Sequence, residues 1–166
     1  MHETPEDMRA LQELLDRSYA GAGSHLRSIT TPERRVSAKE LVRELTGMCL
    51  LVVATVTADC RPIAGPLDGI FYRGAFHFGT APDSVRYRHL LKRPQVSATH
   101  LPREEFAVNV HGRAVGVEIE GGFRETLLEV YVPRYGADWE KFLDSGPVYM
   151  RIEAERMFSF RMRNPD

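Results

Sequence analysis

Cysteine is scarce: Cys49 and Cys60 are the only two in 166 residues, and they stand in no CxxC spacing. That excludes a disulfide framework and a cysteine-rich zinc site and leaves both as free thiols. Lysine is limited to Lys39, Lys92 and Lys141, so arginine carries almost all the positive charge. This bias suits planar phosphate recognition, and genome-wide composition explains it equally well. An excess of one charge is missing too, with 22 Lys and Arg against 23 Asp and Glu. The near balance argues against a domain that wraps nucleic acid by bulk electrostatics. The longest apolar run, Met48 to Ala54, falls far short of the roughly 18 residues that a membrane span needs. The first residues, Met1 to Asp7, are acidic, where an export signal is basic and then apolar. A cytoplasmic protein with no nucleic-acid and no membrane partner is expected. There is also no GxGxxG after a strand, no GxxxxGK phosphate loop, no GxSxG elbow and no HExxH, so four large enzyme classes lose their signatures. No metal site is expected.

The chain is 43% hydrophobic and 27% charged, as one globular domain with a full core would be. Thr4 and Asp7 form a capping pattern around Pro5, and Met8, Leu11, Leu14 and Leu15 share one face, which predicts a first helix ending at Gly21 to Gly23. Ser24 to Arg35 reads as an irregular connection. Ser37 and Glu40 open a second helix that runs to Gly47. Residues 1–36 are therefore taken as a helical extension and linker, and 37–166 as the main domain.

From Cys49 the period becomes extended. Cys49 to Thr57 reads as a buried strand, Ile63 to Tyr72 as a second, Arg73-Gly74 as a hairpin turn and Ala75 to Thr80 as a third. Asp83 to Lys92 is a helix closed by Arg93-Pro94, and Val96 to His100 is again a strand. Along Phe106 to Val117, Phe106, Val108, Val110, Gly112 and Ala114 face one way, and Asn109, His111 and Arg113 the other. Phe123 to Tyr131 is helical, with a short continuation at Trp139, Phe142 and Leu143. The last strand places Val148, Met150, Ile152, Ala154, Phe158, Phe160 and Met162 at even positions, with a bulge near Arg156. Glu153, Glu155, Arg161 and Arg163 then form its wet face. Strands joined by hairpin-length turns favour an antiparallel barrel over a parallel sheet.

Two stretches carry chemistry. In Phe78 to Arg88 a strand gives way to a helix start, whose free N–H groups favour an anion. Thr80, Ser84, Arg86 and Arg88 add hydroxyls and guanidinium charge there. Spacing alone leaves an ordinary capped helix with surface arginines equally open. In Arg61 to Ile70 the strand is loaded with Gly and Pro, the pattern of a kinked edge or of close approach by a flat ligand.

The succession Ala54-Thr55-Val56, Arg61-Pro62, Phe78-Gly79-Thr80, Ser84-x-Arg86-x-Arg88-x-Leu90, Pro94-x-Val96-Ser97 and Val110-His111-Gly112-Arg113-Ala114 resembles the pyridoxamine 5'-phosphate oxidase-like flavoproteins, the FMN-binding split barrels. The resemblance covers Leu41 to Glu118 and implies a mainly β (α+β), antiparallel six-stranded Greek-key split barrel with flanking helices. It implies that Thr80, Ser84 and Arg86 hold the FMN phosphate with support from Arg88, and that Gly79 is a further cofactor-binding residue. Gly65, Pro66, Leu67, Asp68, Gly69 and Ile70 would then run beside the flavin ring. It further implies a homodimer with flavin at the subunit interface, where Asn109, His111 and Arg113 line a groove, and a small-molecule substrate. Arg86 stands where the family usually has lysine, which keeps the charge. Gly65 replaces a flavin-contacting arginine of the true oxidases, Ala107 falls where they carry glutamine, and Phe158 to Pro165 lacks their C-terminal Arg- and Trp-containing motif. These departures point away from genuine pyridoxamine phosphate oxidation. The expected function is that of an FMN-dependent oxidoreductase. The alternatives are an F420-dependent reductase or a non-catalytic flavin- or haem-binding protein, with His77, His89, His100 and His111 as possible axial ligands.

Overall fold

The computed structural model describes residues 2–162; Arg163 and Pro165 lie outside them. Helix α1 (Pro5–Ala20) starts where the Thr4 hydroxyl accepts the Asp7 N–H at 3.1 Å and the Asp7 carboxylate accepts the Thr4 N–H at 2.9 Å. Proline is harmless at this start because its missing N–H has no partner there in any case. The segment expected to be irregular instead holds helix α2 (Ser24–Ile29) and a single 3-10 turn (Pro32–Arg34). Neither buries a residue and no side chain caps the N-terminus of α2, so neither an apolar period nor a capping pattern betrays them. Helix α3 (Ala38–Glu44) opens on the Ser37–Glu40 box.

The strands follow as β1 (Met48–Val56), β2 (Pro62–Tyr72) and β3 (Ala75–Thr80), then helix α4 (Val85–Lys92), β4 (Gln95–Arg103), β5 (Phe106–Val117), helices α5 (Gly121–Tyr135) and α6 (Asp138–Asp144), and β6 (Val148–Arg161). They close into an antiparallel barrel in the order β1-β2-β3-β6-β5-β4, as expected. Leu51, Val53, Phe76, Phe78, Val108, Val110 and Ile152 fill it and are almost fully buried, each stabilising the fold by about 1.5–3 kcal/mol. A second cluster outside the barrel packs Phe123, Leu127 and Tyr131 of α5 and Leu143 of α6 against Ile70 and Tyr149.

Two local expectations change and a third is borne out with a consequence. Helix α4 begins at Val85 rather than at Asp83, and Ser84 caps it: its hydroxyl accepts the Tyr87 N–H at 3.0 Å. Strand β1 is buried on one face only, with Leu50 and Val52 exposed on the other. At β6 the bulge exists, because His111 pairs with Arg156 and Gly112 with Ala154, skipping Glu155. The extra residue reverses the alternation beyond it, so Met157 stands opposite Val110 while Phe158 meets the edge of Tyr19 at 5.6 Å.

Strand β3 pairs with β6 only from Val148 to Arg151, which leaves the rest of that β6 edge open. Helix α1 covers it. Ser18 Oγ accepts the Met157 N–H at 3.0 Å, and the Tyr19 hydroxyl accepts the Ser159 N–H at 2.8 Å while donating to the Ser159 carbonyl at 2.6 Å. Two side chains thus replace a missing strand neighbour.

Candidate functional site

Strand β2 pairs with β1 from Pro62 to Ile70 but with β3 only from Gly69 to Tyr72. Residues 62–68 therefore keep one free edge, where alternate backbone groups point into a crevice. The far wall is the corner from Thr80 to Arg86, where β3 ends and α4 begins. Ser84 uses its hydroxyl on Tyr87 N–H and meets Thr80 Oγ1 at 2.8 Å. The amides of Val85 and Arg86 start the helix with no intrahelical acceptor.

Arg86 reaches across to Gly65. Its Nη2 lies 3.1 Å from where a Gly65 side chain would begin. No carboxylate or hydrogen-bond acceptor among the described residues pairs with it, and burial lowers its pKa from the usual guanidinium value. It stays charged nonetheless. A cleft of about 270 Å³ opens here, lined by Thr55, Gly65, Ser84, Arg86 and His89. A partly dehydrated, unpaired cation beside two hydroxyls and free helix-start amides is a fit for a phosphate ester.

The other expected residues stand around this corner in different settings. Arg88 is exposed and donates to the Asp83 carbonyl. Pro66 stands opposite Val52, and Leu67 packs on the barrel core. Gly69 serves barrel closure, since a side chain there would overlap the His77 carbonyl oxygen and lie 2.9 Å from Leu51 Cδ1. Ile70 belongs to the second cluster.

Asp68 and Gly79 join Thr80 in a larger cleft of about 340 Å³ with Trp139, Phe142, Pro147 and Tyr149. Gly79 admits the Tyr149 ring, whose atoms lie 3.1–3.3 Å from the missing Cβ. Burial and the nearby Asp68 carboxylate push the Tyr131 and Tyr149 phenols well above their ordinary value. Sequence reasoning missed this cleft because Trp139, Phe142 and Leu143 read only as a continuation of the preceding helix; of the three only Leu143 is buried. Two aromatics three residues apart on a short polar helix were its signal.

No protein-family model matches the sequence, and no curated protein does. Solved structures do match. HutZ, the haem storage protein of Vibrio cholerae, superposes with a TM-score of 0.56 at 20% identity, covering 72% of this chain and 89% of its own. The FAD-binding protein of Mycobacterium smegmatis gives 0.54 at 17%, with 77% and 98% covered. A candidate pyridoxamine 5'-phosphate oxidase from Listeria innocua gives 0.55 at 15%, with 70% and 90% covered. The chain has the split-barrel fold that these structures share.

Within this split barrel the four histidines considered as axial ligands stand in separate settings. His77 and His100 are buried and hydrogen-bonded to the Ala75 and Leu50 carbonyls. His89 meets Thr55 at 3.0 Å beside the Arg86 cleft, and His111 meets Ser97 at 2.8 Å on the outer face. Asn109 pairs with Thr99 on that face. Among the described residues no cluster could hold a metal ion and no helix is long and apolar enough to cross a membrane.

Proposed function

We propose that this split barrel is an FMN-dependent oxidoreductase acting on a small molecule, with the cofactor in the crevice between the free β2 edge and the β3–α4 corner. The observation that carries this reading is Arg86, an unpaired guanidinium folded onto Gly65 next to the Thr80–Ser84 hydroxyl pair. Arg86 would neutralise the phosphate, with the Val85 and Arg86 amides and the two hydroxyls orienting its oxygens. Residues 65–68 would present backbone to the ring. When bound, the flavin supplies the redox step by accepting or donating hydride. The protein contributes binding, orientation and exclusion of water. No protein nucleophile is required; burial pushes the Cys49 thiol up to about 12, so it stays protonated and inert. That a protein of this fold is named for binding FAD, and another for storing haem, is consistent with a flat redox cofactor on this scaffold.

We also propose a homodimer. Leu50 and Val52 on β1 and Leu101 on β4 are exposed on the outer barrel face, next to Pro66 across from Val52. An uncovered apolar strand face of this kind fits a second copy better than water.

The test is a visible spectrum of the purified protein and mass spectrometry of what it releases on denaturation, followed by reconstitution with FMN, F420 or haem. A flavin spectrum with released FMN is expected. A Soret band, or uptake of F420 in preference to FMN, would overturn the FMN assignment.

A further inference from the structure

The cleft between α6 and the β2–β3–β6 surface shares Thr80 with the proposed cofactor corner, yet its remaining lining is of another kind. Asp68 is the only charged residue in it. No cation among the described residues pairs with that carboxylate; its neighbours are the hydroxyls of Tyr131 and Tyr149. Across from it stand Trp139, stacked on Tyr131 at 4.6 Å and 20°, and Phe142, whose ring is 6.1 Å from Trp139 and 52% exposed. Arg124 is spoken for by Glu140 and Asp144 at the outer rim.

Resting on the flavin reading, we infer that this cleft receives the second reactant, a planar aromatic whose ring lies against Trp139 and Phe142 and which turns a cationic or N–H donor group to Asp68. The volume of about 340 Å³ suits a small ring system. A flat π-surface favours rings of like shape. A half-buried carboxylate without a cation favours a donor that completes it and rejects an anion that would double the charge. The class is therefore defined by shape and by sign: aromatic, uncharged or positive, not carboxylate or phosphate at the inserted end.

Trp139 is the chain's only tryptophan, so its emission reports on this cleft directly. The experiment titrates the FMN-loaded and the flavin-free protein with benzamidine, benzamide and benzoate, which share a ring and differ in charge. Benzamidine should quench Trp139 saturably with a dissociation constant of about 1 mM, as expected for so small a ligand. Benzamide should bind more weakly than benzamidine, and benzoate at least tenfold more weakly. Asp68→Asn should remove the preference for benzamidine over benzamide, while Phe142→Ala, at an exposed position, should weaken all three without altering the melting temperature. Benzoate binding as tightly as benzamidine, or titrations unchanged in both variants, would overturn the inference. Flavin binding, followed separately by flavin fluorescence, distinguishes the two claims. FMN bound with no saturable benzamidine effect sinks the cleft alone. Benzamidine bound with its charge preference but no FMN taken up supports the cleft and overturns the cofactor reading.

Discussion

His77 sits between Tyr72 and Phe123, ring centroids 5.7 and 4.9 Å away, with the Ala75 carbonyl on its Nδ1. Burial pushes its pKa down from 6.5 to about 4, opposed by the Ala75 contact and helped by Arg151. A folded pKa below the unfolded one means that protonation favours unfolding. The stabilisation is complete above pH 6.5 and is lost progressively as pH falls toward 4, amounting to about 3 kcal/mol. Urea midpoints across that range should fall with acid in the native protein and fall less in His77→Phe. A parallel pH dependence in both would contradict this assignment. The two β2 glycines offer a second contrast. Gly69→Ala meets a backbone carbonyl and should cost about 2–3 kcal/mol in thermal unfolding. Gly65→Ala meets only the end of Arg86, so it should leave stability within about 0.5 kcal/mol and weaken FMN binding.

At the scale of elements, α1 is part of the barrel wall rather than an ornament. Tyr19→Phe leaves the buried Ser159 N–H and carbonyl without their partner on α1 and should destabilise by about 2 kcal/mol, read as a lower urea midpoint with a native near-ultraviolet spectrum. Thr4→Ala, at an exposed cap, should cost about 1 kcal/mol. The elements that were legible in the sequence are those specified locally: the Thr4–Asp7 and Ser37–Glu40 boxes, the Arg73-Gly74 hairpin turn and the alternation of β5 all lie where their residues predict. Helix α2 was not, because its hydrogen bonds from Arg27 to Ala22 and from Thr30 to Leu26 leave no apolar signature. The bulge at Glu155 was readable as a break in pattern, while the reversal of Phe158 toward Tyr19 depended on the distant α1. In the candidate site, Thr80, Ser84 and Arg86 were legible as one short stretch. The approach of Arg86 to Gly65, and of Trp139 to Asp68, joins segments far apart in the chain, which no local pattern encodes.

For the whole molecule, the apolar character of β1 on both faces explains why the strand reads as fully buried although one chain covers only one side. A second copy would complete the burial of Leu50, Val52 and Leu101. Sedimentation should find a dimer, and Val52→Lys, placing a charge at the centre of that face, should shift it to monomer without unfolding it. The central claim is that the β3–α4 corner grips a phosphate. It is tested most directly by comparing the affinities of FMN and riboflavin, which differ only in that group, for the native protein and for Arg86→Ala. FMN should bind the native protein about 100-fold more tightly than riboflavin, and most of that advantage should vanish in the variant. Equal affinities in the native protein, or an FMN preference untouched by the loss of Arg86, would contradict the account.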